Sequence, residues 1–199
     1  MTLVKICGIC DVEAGIAAAE AGADILGFHF CESARRITPD EAVKILDELP
    51  DGPALAGVFI DQSPAEVGVI AEFLGLDIVQ LHGSEKPGFP SEQIVMKALK
   101  VRDGVVPDAE GWPDPVLLDS WSEDGRGGTG RTWNWEVAEA LTVTRKVFVA
   151  GGLTPLNVGG VIRRLRPHGV DVSSGVEKEP RVKDPAKIAA FIEAVRAES

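Results

Sequence analysis

The stretch Lys146-Val147-Phe148-Val149-Ala150-Gly151-Gly152 decides the fold. Its apolar residues run on without the polar alternation of a half-exposed strand, so both faces must be covered, as in a parallel sheet flanked by helices. Two glycines then end the run abruptly and bring bare backbone to the strand's end. A second segment repeats the plan: Val170-Asp171-Val172-Ser173 is followed by Ser174-Gly175.

Outward from these two, further apolar runs rich in Val, Ile and Leu lie at Leu3–Cys7, Asp24–Phe28, Ala54–Ile60, Ile78–Leu81, Ile94–Leu99 and Val116–Asp119. Helical spacing fills most of the intervals. Asp11 stands as N-cap before an Ala-rich segment that stops at Gly22. Thr38-Pro39 opens the next, and Ser63-Pro64-Ala65-Glu66 reads as a capping box. Thr154-Pro155 and Asp184-Pro185 open two more. Residues 83–93 and 102–115 carry only a short helix or none. Strands alternating with helices imply βαβ units. Eight such units in 199 residues favour a closed (β/α)8 TIM barrel with short loops over a decorated open sheet. No linker divides residues 1–199, so one catalytic domain is expected.

The placement of polar residues supports the barrel. Cys7, His29, Arg35, His82, Asp119, Gly151-Gly152 and Ser174-Gly175 all sit at or just beyond strand ends, on the rim where barrel enzymes build their sites. Barrels often hold phosphate on the loops after strands seven and eight, where glycine lets N–H groups approach an anion. A phosphorylated small molecule is therefore the expected ligand at Gly151, Gly152, Ser174 and Gly175. Asp171, a carboxylate inside a barrel strand, must be paired or serve chemistry. Arg35 offers a planar fork to a carboxylate, although a lone loop arginine is more often a solvated surface charge.

A net charge of −11 disfavours nucleic acid as a partner, because phosphate backbones need a basic surface. It also means that an anionic ligand must be held by local donors. No apolar run approaches the ~18 residues of a membrane span. Met1–Lys5 has no signal-peptide pattern, and three cysteines fit a reducing compartment, so a cytoplasmic protein is expected. Cys7-Gly8-Ile9-Cys10 has the spacing of a redox or metal pair, but no second ligand pair accompanies it and His29, His82 and His168 are scattered. No metal is expected. Oxidation linking Cys7 to Cys10 is a regulatory possibility that the spacing raises.

In order along the chain, Val4-Lys5-Ile6-Cys7-Gly8-Ile9, Gly27-Phe28-His29-Phe30, Val79-Gln80-Leu81-His82-Gly83, Leu117-Leu118-Asp119-Ser120, Gly127-Gly128-Thr129-Gly130, Ala150-Gly151-Gly152-Leu153-Thr154-Pro155 and Val170-Asp171-Val172-Ser173-Ser174-Gly175-Val176-Glu177 resemble the motifs of phosphoribosylanthranilate isomerase, an enzyme family of tryptophan synthesis. The resemblance runs nearly from end to end. It implies a (β/α)8 barrel, no cofactor, and an Amadori rearrangement of N-(5-phosphoribosyl)anthranilate to 1-(2-carboxyphenylamino)-1-deoxyribulose 5-phosphate. It implies Asp119 as general acid and Cys7 as general base. Arg35 matches the arginine facing the anthranilate carboxylate, with Arg36 beside it as an alternative. Asp171 matches a carboxylate near the ribose or amine, His82 falls in a matching motif at the site, and the four rim residues named above match the phosphate cradle. Cys10 replaces a usual Thr, Ala34 a usual Pro, and Pro180-Arg181 a usual Pro-Gly. A monomer or a homodimer fits equally.

Two other readings compete. A related isomerase of histidine synthesis takes a substrate with two phosphates and carries a glycine-rich loop in each half, whereas here Leu81-His82-Gly83-Ser84-Glu85 offers no counterpart to Gly151-Gly152. A non-catalytic phosphate-binding barrel is the other, and retention of Cys7 and Asp119 argues against it. The glycine-dense run Gly125-Arg126-Gly127-Gly128-Thr129-Gly130 could fold over a ligand or serve as a tether.

Overall fold

Strand after strand, odd and even positions part company. In β1 (Leu3–Cys7), Val4 and Ile6 are fully buried against helices, while Lys5 and Cys7 point into the centre. The same two-residue period continues through β2 (Ile25–His29), β3 (Ala54–Phe59), β4 (Ile78–Leu81), β5 (Ile94–Val101), β6 (Val116–Ser120), β7 (Val147–Val149) and β8 (Gly169–Val172). All neighbours pair in parallel, and β8 pairs back onto β1, closing the barrel in sequence order. The structure is a computed structural model that describes residues 1–120 and 133–198. The Gly125–Gly130 run lies outside the described residues.

Helices α1 (Val12–Glu20), α2 (Pro39–Leu46), α3 (Pro64–Leu74), α4 (Glu139–Thr144), α5 (Val158–Leu165) and α6 (Pro185–Arg196) surround the strands. Asp11 caps α1 through the Ala14 N–H, and Thr38–Glu41 and Ser63–Glu66 form complete capping boxes. Asp184 caps α6, as its position before Pro185 predicts. No helix occupies 82–93 or 102–115. Among the described residues, no helix is long and apolar enough to cross a membrane.

Two features depart from the sequence expectation. Thr154-Pro155 does not start α5; Pro155, Leu156 and Asn157 form a turn on the Thr154 carbonyl, and the helix begins at Val158. The Asn157 side chain explains the delay, since it donates to the Gly152 carbonyl and accepts from the Thr154 N–H, folding the segment back toward the rim. Beyond β8, β9 (Glu177–Glu179) and β10 (Val182–Lys183) form an antiparallel hairpin that the apolar pattern does not announce.

The strands' outward residues and the helices make the large core, in which Ile6, Phe28, Leu118, Val149, Ile188 and Phe191 are buried. Each such side chain contributes about 1.5–3 kcal/mol relative to exposure. A second cluster, including Ile25, Ile78, Met96, Leu117 and Phe148, plugs the lower barrel. Large residues need small ones opposite: a Cβ on Gly27 would lie 2.8 Å from Cys7 Sγ. The plug makes the barrel interior a packed core and leaves its C-terminal end for a site.

Candidate active site

Above that plug the inward positions turn polar. They line a cavity of about 510 Å³ bordered by Cys7, His29, Arg35, His82, Asp119, Gly151, Gly152, Asp171, Ser174 and Gly175. Every site residue expected from the sequence is therefore brought to one place. Arg35 is buried and lines the cavity, whereas Arg36 is exposed and is not among the lining residues.

Strand register builds the charges. Lys5 and Asp171 are partners across the β1–β8 seam, and their side chains meet at 2.7 Å. Lys100 and Asp119 are partners across β5–β6 and meet at 2.6 Å. Burial opposes the Lys5 charge, but attraction to Asp171 and Cys7 outweighs it and raises its pKa. Asp119 Oδ1 also accepts the Ser120 N–H at 2.8 Å, which fixes the carboxylate's orientation. Breaking a buried pair by deleting one partner costs about 3–5 kcal/mol, so each pair is both an orienting device and a structural commitment.

Arg35 is held by Glu177 through two bonds, Nε–Oε1 at 2.6 Å and Nη2–Oε2 at 2.7 Å. Lys183 approaches the same carboxylate at 3.1 Å. Burial opposes the Glu177 charge, yet Arg35 and Lys183 together lower its pKa. Arg35 Nη1 makes no hydrogen bond among the described residues and stays available to a ligand at the cavity wall.

Cys7 sits at the β1 end with His29 Nε2 3.3 Å from its sulfur. Burial raises its thiol pKa; Lys5 pulls it down and Asp171 pushes it up, with a net rise. A thiolate at Cys7 is thus opposed by burial and supported by Lys5. Cys10 Sγ is directed to the Gly8 and Arg35 carbonyls, whereas Cys31 packs with Cys7 and Val58. His82 hydrogen-bonds Gln80 through Nε2.

At the β7 and β8 ends, Gly151 has φ +84° and Gly152 φ +72°, in the left-handed region that favours glycine. A Cβ on Gly175 would overlap the Leu153 carbonyl oxygen. Among the described residues, no hydrogen bond takes the N–H of Gly152, Ser174 or Gly175. Such converging free N–H groups at a cavity wall form an anion-binding concavity.

Lys5, Lys100, Glu177 and Lys183 complete the site, and none was identified as a site residue from sequence; His29 was marked there only by its place at a strand end. The available signal was a charge at an inward position of an otherwise apolar strand, as in Val4-Lys5-Ile6.

The closed parallel barrel and its polar rim place the chain among the (β/α)8-barrel enzymes. Sequence comparison narrows the class: the profile described as N-(5'phosphoribosyl)anthranilate (PRA) isomerase matches residues 4–194, and the chain belongs to this family of isomerases. It is 46% identical over 197 residues to the N-(5'-phosphoribosyl)anthranilate isomerase of Pelobacter propionicus, covering 96% of this chain and 94% of the relative. The crystal structure of phosphoribosyl anthranilate isomerase from Thermus thermophilus superposes with a TM-score of 0.91 at 35% identity, covering 100% of both chains. Another solved isomerase, in complex with reduced 1-(o-carboxyphenylamino)-1-deoxyribulose 5-phosphate, gives 0.83 at 33% identity, covering 99% of this chain and 100% of the other.

Proposed function

We propose that residues 1–199 act as one catalytic domain that isomerises N-(5-phosphoribosyl)anthranilate to 1-(2-carboxyphenylamino)-1-deoxyribulose 5-phosphate in tryptophan synthesis, using Asp119 as general acid and Cys7 as general base. The observation that carries the reading is that a thiol from β1 and a carboxylate from β6 enter one cavity, with unclaimed backbone donors on its wall. The ligand of the solved relative combines a carboxyphenylamino group with a ribulose phosphate, and the cavity offers a counterpart to each part. Family membership and the reducing compartment suggested by the cysteine count support a cytoplasmic setting.

The substrate phosphate lies against Gly151, Gly152, Ser174 and Gly175. The anthranilate carboxylate faces Arg35 Nη1. Asp119 protonates the furanose ring oxygen as the amine nitrogen's lone pair forms the C1=N bond and the C1–O bond breaks. The Cys7 thiolate then takes the C2 proton, and its electron pair forms the C1=C2 bond of an enolamine while the C1=N pair returns to nitrogen. Proton loss from the C2 hydroxyl and gain at C1 complete the ketone. Asp171, held by Lys5, is placed to orient the C2 hydroxyl or the amine, and His82 lies on the same wall. A positioned acid or base contributes ~10²–10⁴-fold.

Complementation of a tryptophan auxotroph lacking this isomerase tests the reading, together with turnover by the purified protein. Wild type restores growth, and Cys7→Ala and Asp119→Ala each lower kcat by ~10² or more and abolish growth. Growth equal to wild type with both variants overturns the assignment of acid and base.

A further inference from the structure

The sulfur of Cys7 lies in poor surroundings for an anion: Cys31, Val58 and Ile60 pack beside it. From below, Lys5 attracts a thiolate, but Lys5 is already committed to Asp171 at 2.7 Å. Among the described residues, one other polar group reaches the sulfur. His29, at the end of β2, brings Nε2 to 3.3 Å.

Which ring nitrogen carries the proton follows from Ser33. Its Oγ accepts the Arg35 backbone N–H at 3.0 Å and lies 2.9 Å from His29 Nδ1. The hydroxyl hydrogen has one acceptor among the described contacts, which is Nδ1. With Nδ1 accepting, a neutral imidazole holds its hydrogen on Nε2, aimed at sulfur. Both heteroatoms of the ring and the serine hydroxyl are then satisfied, whereas the opposite tautomer leaves the hydroxyl hydrogen without a partner.

We propose that His29 is a positioning residue, which donates its Nε2–H to Cys7 Sγ, favours the thiolate over the thiol and aims it into the cavity, with Ser33 fixing the tautomer. The proposal rests on the reading of Cys7 as the base. A hydrogen bond to an anion is stronger than the same bond to its neutral acid, so the donor selectively stabilises the form that abstracts a proton.

His29 suits this task because it does not titrate with the thiol. Burial, then the charges of Lys5, Arg35, Lys183 and Lys100, hold its pKa down at about 3. The donor therefore remains a neutral Nε2–H through the whole range in which a thiol ionises. The charges acting on the pair come from several elements: Lys5 and Asp171 from β1 and β8, Lys183 from β10, Lys100 from β5 and Arg35 from the loop after β2. Their balance sets where Cys7 titrates, and His29 adds a directional bond to that balance.

The test is a pH titration of thiolate ultraviolet absorbance in wild type, His29→Ala, His29→Gln and Ser33→Ala, each read as the difference from its Cys7→Ser counterpart, alongside kcat/KM against pH. In His29→Ala the Cys7 midpoint rises by about one unit, which lowers the thiolate fraction near neutrality about tenfold. The rising limb of kcat/KM moves up by the same amount, and activity returns to the wild-type plateau at alkaline pH. Glutamine, whose amide N–H reaches near the Nε2 position, restores most of the shift. Ser33→Ala moves the midpoint in the same direction by less and carries the test if His29→Ala does not fold. An unmoved Cys7 midpoint in both His29→Ala and Ser33→Ala overturns the proposal, as does a uniform loss of activity at every pH. A fully active Cys7→Ser protein is a separate result: it removes the base assignment itself, whatever His29 does to the titration.

Discussion

The rim beyond β3 and β4 and the rim beyond β7 and β8 are built from similar materials and do opposite things. Each has glycine next to serine and lies at the C-terminal end of two adjacent barrel strands. Beyond β3 and β4, however, the chain's own carboxylates have claimed the donors. Asp61 accepts the Ser84 N–H at 2.6 Å and its hydroxyl at 2.7 Å, and Glu85 accepts the Asp61 N–H at 2.9 Å. Lys97 locks Glu85 at 2.6 Å, and a Cβ on Gly83 would overlap the Asp61 carboxylate. Beyond β7 and β8 no acidic side chain takes the N–H groups of Gly152, Ser174 or Gly175 among the described residues. An anion site is therefore a matter of donors left unclaimed rather than of glycine content. One rim is filled by internal anions and the other is open to an external one, which supports one phosphate per substrate and disfavours the two-phosphate alternative.

The sharpest way to break this contrast is to close the open rim. In Gly175→Ala the new methyl meets the Leu153 carbonyl, and the backbone must move to relieve it. A displacement near 1 Å at a positioning element costs about 10²-fold in rate. We expect kcat/KM to fall by about that factor, chiefly through KM, with inorganic phosphate losing its power to compete with substrate. Phosphate inhibition equal to wild type would remove the distinction between the rims.

The opposite manipulation opens the filled rim. Asp61→Ala removes the internal anion, leaving the Ser84 N–H and hydroxyl to water. Asp61 is exposed, so solvent screening holds the loss to about 1 kcal/mol at neutral pH. The pH dependence gives the sign independently. Hydrogen bonds from Ser84 hold the folded Asp61 carboxyl below its ordinary value of 3.8. The unfolded chain therefore binds the proton first as pH falls, and the stabilisation is complete above 3.8 and lost below it. Denaturant melts of wild type and Asp61→Ala should differ at pH 7 and converge under strong acid, with kcat little changed. A gap that widens in acid would contradict the internal-anion account.

This contrast also marks how much could be read before the structure. The eight strands were legible because their helix-facing positions are so uniformly apolar that no exposed strand could carry them. The cap residues Asp11, Thr38, Ser63 and Asp184 announced four helix starts through local chemistry that needs no tertiary information. Thr154 misled because Asn157, three residues on, diverts the segment toward Gly152. The site residues at strand ends were legible for the same reason as the strands. Their partners were not: Lys5 meets Asp171 across 166 positions and Arg35 meets Glu177 across 142, and nothing local to either member names the other. Register alone converts a lysine in an apolar run into half of an ion pair. The filled rim was equally hidden, since Asp61 and Ser84 belong to different loops.

The smallest expected effect concerns Arg181, on the hairpin beside the open rim. Its φ of +76° lies in the left-handed region, where a side chain costs roughly 1–2 kcal/mol. The guanidinium offsets part of that cost by donating to the Ala34 and Arg36 carbonyls at 3.3 and 3.2 Å, which ties the hairpin to the loop carrying Arg35. Arg181→Gly relieves the backbone and cuts the tie together, so the two contributions nearly cancel and stability should change by less than about 1 kcal/mol. Arg181→Ala keeps the strain and loses the tie, so it should be the less stable of the two variants. The loop's effect on ligand binding is separable from stability, because both variants lose the same tether: KM should rise slightly and equally in both, with kcat unmoved. If KM rises only in Arg181→Ala, backbone strain and not the tether is what the open rim senses, and the hairpin joins the filled rim as scaffold.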